Sequence, residues 1–158
     1  MDNDIDYNLL LQHISNQFYK LQSSIHGTAH WSRVERNGLL LAKRTGADVV
    51  VVKLFALFHD SRRENDRKDD GHGSRGAEFA STLLGNLFKL DPARFELLHY
   101  ACTWHTDIQH HDDPTIGTCW DADRLDIGRI GINPDPKFMS TDFAREIAAN
   151  GSKEILPE

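Results

Sequence analysis

Apolar residues recur at helical spacing along most of the chain. In "DYNLLLQHISNQFYKLQSS", residues 6–24, Leu9, Leu10, Ile14, Phe18 and Leu21 return every three or four positions and predict a first helix. "HWSRVERNGLLLAKRTG", residues 30–46, predicts a second, closed by Gly46 as a C-terminal cap. Ser32 and Glu35 have capping-box spacing, and Thr28 offers an equivalent start one turn earlier. Asp48 caps a third helix carrying "VVVVKLFALFHD". Four valines alone suggest a strand. The continuation through Leu54, Phe55, Leu57 and Phe58 fits a buried helix better than a two-residue period. The loop "DDGHGSRG" leads into a helix from about Ser74 to Phe88. Asp91–Pro92 and Asp113–Pro114 each pair a capping carboxylate with proline at the first helical position. The first pair opens a helix running to about Trp104, the second "PTIGTCWDADRLDIGRIG", residues 114–131. "NPDP" is a turn, and "STDFAREIAANG" is a short last helix, about residues 140–150, starting at Ser140 or Thr141. The expected fold is all-α, six or seven helices in one compact domain spanning residues 1–158.

Composition narrows the partners. The chain has 158 residues and a formal net charge of -6, with acidic residues spread along it. Nucleic-acid polymers are therefore not expected, since phosphate backbones are met by basic surface. A small phosphorylated molecule held by a few local charges remains compatible. The opening "MDNDIDYN" lacks the basic and apolar regions of a secretory signal. The apolar run "VVVVKLFALF" is interrupted by Lys53 and too short to span a bilayer, so no membrane association is expected. Cys102 and Cys119 make no disulfide framework and read as free thiols near a core. The cytoplasm is the expected location; the pattern does not set the oligomeric state.

Histidine changes the picture. The chain has nine, mostly between residues 26 and 111. His30 starts one predicted helix, and His59 with Asp60 closes another. His72 opens the next, and His99 and His105 flank the end of a fifth. Asp121, Asp123 and Asp126 lie on a sixth. Adjacent residues on a helix point about 100° apart, so His59 and Asp60 can both reach an ion beside it. A carboxylate buried at the end of an apolar helix needs a counter-charge, which a divalent cation supplies. His13 reads as a surface residue, and His110 and His111 as a solvated loop. His26 either shares a face with His30 or lies in the loop at Gly27.

Four segments in order, "HWSRV" (30–34), "LFHDS" (57–61), "HGSRGAEFA" (72–80) and "DADRLDIGR" (121–129), resemble the HD superfamily of metal-dependent phosphohydrolases. The resemblance covers about residues 26–130. It implies that His30, His59, Asp60 and Asp123 bind one divalent metal, Asp123 standing in the Ala-Asp-x-Leu segment. Asp121, two residues away, is then expected to face solvent or to support a ligand, and Asp126 to orient one. Some relatives carry further histidines and hold two ions. His72 and His105 are candidates for a second ion or for substrate phosphate, the alternatives being a loop histidine after Gly71 for His72 and an ordinary histidine beside Trp104 for His105. His99 reads as packing or support.

The resemblance further implies hydrolysis of a nucleotide or other small phosphate ester by a metal-activated water, with one or two ions per chain. Asp60 would be the natural bridge between two. Mn, Mg, Fe, Co, Ni and Zn are all compatible with these donors. Arg33, Arg63 and Arg124 are the expected phosphate-binding cations, and Arg62 is a further arginine near the dyad. Asp60, Arg63 and Glu64 are the expected catalytic groups, although relatives place an acid at or near the position of Arg63. The run "RRENDRKDD" is expected to be a solvated loop. No Gly-Tyr-Pro segment follows the late histidines, which argues against cyclic-dinucleotide chemistry. The competing readings are a di-iron oxygenase and a helical metal- or ligand-binding domain without turnover.

Overall fold

Side-chain caps decide where most helices begin. The computed structural model describes residues 4–19 and 24–151. Its helices are α1 (Tyr7–Asn16), α2 (Thr28–Thr45), α3 (Val49–Phe58), α4 (His72–Leu83), α5 (Pro92–Trp104), α6 (Pro114–Arg124) and α7 (Asp142–Asn150). The carboxylates of Asp6, Asp48, Asp91 and Asp113 and the hydroxyl of Thr141 accept from backbone N–H groups of the first turn. The fold is all-α, as the periodicity predicts. No helix among the described residues is long and apolar enough to cross a membrane.

Helix α3 runs through the centre. Val51, Val52, Leu54, Phe55 and Phe58 have no exposed surface. Helices α1, α2, α4, α5 and α6 all pack on it, which is why its apolar run is nearly continuous rather than striped. Asp48 anchors its start twice. It accepts from the N–H groups of Val50 and Val51, and its Oδ2 lies 2.6 Å from Arg94 Nε of α5. Arg94 chiefly holds the Asp48 carboxyl below its usual range, against partial burial. Asp48→Ala is expected to lower stability by about 2 kcal/mol in urea unfolding. The contribution is present above the ordinary carboxylate pKa and is lost as pH falls through the depressed one, so the gap from wild type closes in acid.

Several boundaries differ from the periodic reading. Helix α1 stops at Asn16, and Leu21 lies outside the described residues. Phe18 stays buried, its ring edge-on to Trp31. Helix α2 starts at Thr28 with Gly27 as N-cap, so Thr28 is helical and the Ser32–Glu35 pair lies inside the helix. Helix α4 begins at His72 and ends at Leu83, short of Phe88. Gly85 turns the chain with φ +87° and donates to Phe88 O at 2.8 Å. The predicted helix over 114–131 divides: α6 ends at Arg124 and Leu125–Ile130 tightens to a 3-10 helix. A further 3-10 turn, Pro136–Phe138, replaces the simple turn expected at "NPDP".

Candidate metal centre

The centre forms where α3 ends against α2, α4, α5 and α6. Helix α4 reaches it through two glycines. A Cβ on Gly76 would collide with the carbonyl of Phe58, and one on Gly73 with the carbonyls of Cys102 and Thr103. These are backbone obstacles that cannot swing aside. Their absence of a side chain lets α4 lie on the ends of α3 and α5, carrying His72 up to His105. Gly73→Ala is expected to shift α4 by a few tenths of an ångström or more, and to weaken ion binding at His72 and His105 by about ten-fold in metal titration.

Two groups of donors meet at Asp60. His30 Nε2 lies 3.3 Å from Asp60 Oδ2 and 3.0 Å from Asp123 Oδ1; His59 Nε2 lies 3.3 Å and 3.5 Å from the same two atoms. On the other side, Asp60 Oδ1 lies 3.2 Å from His72 Nε2 and 3.4 Å from His105 Nε2. The two histidine pairs approach closely, at 3.2 Å between His30 and His59 and 3.1 Å between His72 and His105. Donors about 2.1 Å from one ion stand about 3.0 Å apart in an octahedron and about 3.4 Å apart in a tetrahedron. The distances above run from 3.0 to 3.5 Å, close to that span, and all six side chains are buried or nearly so.

The other ring nitrogens make the case for a cation. His59 Nδ1 faces the carbonyls of Phe55 and Ala56, His72 Nδ1 that of Asp69, and His105 Nδ1 that of Cys102. His30 Nδ1 faces Asp126 Oδ2 at 2.6 Å. Carbonyl and carboxylate oxygens only accept, so every Nδ1 carries a proton, and in the neutral ring every Nε2 turns its lone pair inward. Two lone pairs 3.1 Å apart repel unless a cation lies beside them or one ring takes a second proton. Burial opposes that charge and lowers the pKa of His105. At His30 and His59 burial also opposes charge, but Asp123, Asp126 and Asp60 raise His30 to about 9, and Asp60 and Asp123 raise His59 to about 10. Asp60 and Asp123 stay ionised despite burial, because His59, His105 and His26 surround the first and His30 and His59 the second. The residues present therefore fit one or two divalent ions.

The remaining predicted residues separate. Arg63 lies beside Asp60: its Nη1 donates to the carbonyls of Asn65 and Arg67, and its buried Nε stands 3.5 Å from Asp60 Oδ1 with no hydrogen-bond partner among the described residues. Arg33 donates to Asp126 Oδ1 at 2.7 Å, which steadies the carboxylate behind His30. Arg62 lies over the ring of Phe79. Glu64 does not join the centre. Its side chain is 72% exposed and faces Arg75, because Asp69 accepts from the Glu64 N–H and folds the charged loop outward. Arg124 is not free for phosphate either; its guanidinium ties together the carbonyls of His105, Ile108, Gln109 and Phe138. Asp121 is buried rather than solvent-facing. It accepts from the N–H groups of Ser140 and Thr141 and from the Thr141 hydroxyl, pinning the start of α7. His99 pairs with Glu78 on the surface side. His26 had two sequence readings; the structure buries it with Nδ1 3.5 Å from Asp60 Oδ2. Only its one-turn spacing from His30 signalled that placement.

A cleft of about 550 Å³ opens beside His105 and Asp123. Its walls come from the loop after α5, the 3-10 stretch at Ile127 and the segment 132–139. Over the whole fold the chain superposes on the crystal structure of a predicted HD superfamily hydrolase from an uncultured Thermotogales bacterium. The TM-score is 0.73 and the identity 26%, over 97% of this chain and 89% of that one. The chain belongs to the HD superfamily. No family model matches it, and no curated protein does. At superfamily level, this likeness and the buried His/Asp groups support a metal-dependent hydrolase.

Proposed function

We propose that this HD domain is a phosphohydrolase acting on a nucleotide or other small phosphate ester. One observation carries the reading: Asp60 turns one oxygen to His30 and His59 and the other to His72 and His105, beside a cleft that His105 and Asp123 help to line. His30, His59, Asp60 and Asp123 would hold one divalent ion, and Asp60, His72 and His105 a second; such an ion would lower the pKa of water and polarise phosphoryl oxygens. Arg63, whose buried Nε stands 3.5 Å from Asp60 Oδ1, would add charge-assisted hydrogen bonds to a phosphoryl group held there. Asp126 holds the His30 ring in register, and Arg33 holds Asp126. In the overall reaction the oxygen of water bonds to phosphorus, the P–O ester bond breaks, and a proton from water ends on the leaving alcohol.

The test uses protein stripped by chelator and reloaded singly with manganese, magnesium, cobalt, nickel or iron. Phosphate release from a panel of esters is expected only after reloading. A chain that binds metal and releases no phosphate from any ester is a binding domain. The His₂–Asp–His₂ arrangement around Asp60 also suits an iron pair, and a mixed-valent iron signal without phosphate release would reassign the centre to oxygen chemistry.

A further inference from the structure

We infer that the cleft receives the non-phosphate part of the substrate, and that this part is a flat, partly apolar group without a second phosphate. The inference rests on the phosphohydrolase reading above. His105 and Asp123 line the cleft, so a molecule with its phosphoryl group at the centre can lay its remainder there. The walls include Ile127, Ile132, Phe138 and Met139. Ile132 is 50% exposed and Phe138 43%, so the cleft offers open apolar surface. A ring system laid against them would remove that surface from water.

Charge disfavours a polyphosphate. Besides Asp123, the acidic side chains at the cleft are Asp107 and Asp135. Arg124 is the cation among the described lining residues, and its guanidinium is engaged by four carbonyls. Lys137, outside the lining, is turned to Asp135 at 3.7 Å and to the face of Phe138. A further phosphate in the cleft would face carboxylates, with the described cations there already engaged. A neutral or cationic ring meets no such opposition, and Gln109 and Asn133 offer amides to its edge.

The experiment uses the metal-loaded protein and two readouts. Calorimetry compares phenylphosphonate with methylphosphonate, neither of which is hydrolysed. The ring is expected to tighten binding at least about ten-fold, and Phe138→Ser to remove most of that gain. Hydrolysis compares phenyl phosphate and adenosine monophosphate with glycerol phosphate and adenosine triphosphate. The first two are expected to exceed the last two at least about ten-fold in kcat/KM. Equal binding of the two phosphonates, or adenosine triphosphate turned over as well as the monophosphate, overturns the inference while leaving the phosphohydrolase reading intact. Failure to hydrolyse any of the four esters removes the reading and the inference with it.

Discussion

Asp60→Asn is expected to empty both halves of the metal centre in one step. The amide keeps the volume of the carboxylate but supplies neither its charge nor two equivalent acceptor oxygens. Those oxygens face different histidine pairs, at 3.3 Å from His30 and His59 and at 3.2 Å and 3.4 Å from His72 and His105. Metal analysis of gel-filtered protein is expected to show less than about a tenth of the wild-type content, with phosphate release down at least about a thousand-fold. His72→Ala provides the contrast. It removes a donor from one half only, so the His30–His59–Asp123 half retains its ion. If Asp60→Asn instead keeps the full wild-type content, Asp60 is not shared and the two halves are independent sites.

How much of this was written in the chain differs between residues. The dyad was legible because an apolar helix ending in His59–Asp60 leaves a carboxylate without a counter-charge, whatever the tertiary structure. The start of α5 was legible because Asp91–Pro92 is a local device that needs no partner beyond the next turn. Asp121 was not. Helical geometry sets it on a different face from Asp123, but only the return of the chain at Ser140 and Thr141 decides that this face is covered. Arg124 and Glu64 are long charged side chains near the ligands in sequence. Backbone carbonyls of the loop after α5 capture the first, and the fold of the charged loop turns the second to solvent. Gly73 and Gly76 gave no periodic signal, since a close helix approach depends on what lies opposite. Helix α6 ends early although its apolar pattern runs on, because the change to 3-10 geometry leaves little trace in hydropathy.

Metal uptake is expected to release protons at neutral pH, and the ion's affinity to rise with pH. In the metal-free protein, nearby carboxylates raise His30 to about 9 and His59 to about 10, above the imidazole range of about 6.5. Each Nδ1 proton is fixed by an acceptor, so the additional proton sits on Nε2, where the ion must bind. Asp60 and Asp123 are already ionised and contribute no protons. Below pH 9 the ion therefore displaces at least one proton, and affinity is expected to climb about ten-fold per pH unit for each proton released. Calorimetry in two buffers of different ionisation enthalpy counts them, and uptake at pH 7 without release would contradict the arrangement. The same protons shape stability. A folded-state pKa raised above the unfolded one stabilises fully below about 6.5, and the contribution fades as pH rises through 9 to 10. Metal-free protein is thus expected to lose thermal stability progressively above pH 6.5. The loaded protein has the ion in place of those protons and does not share the loss, so the difference in Tm between the two forms widens from pH 6.5 to 9.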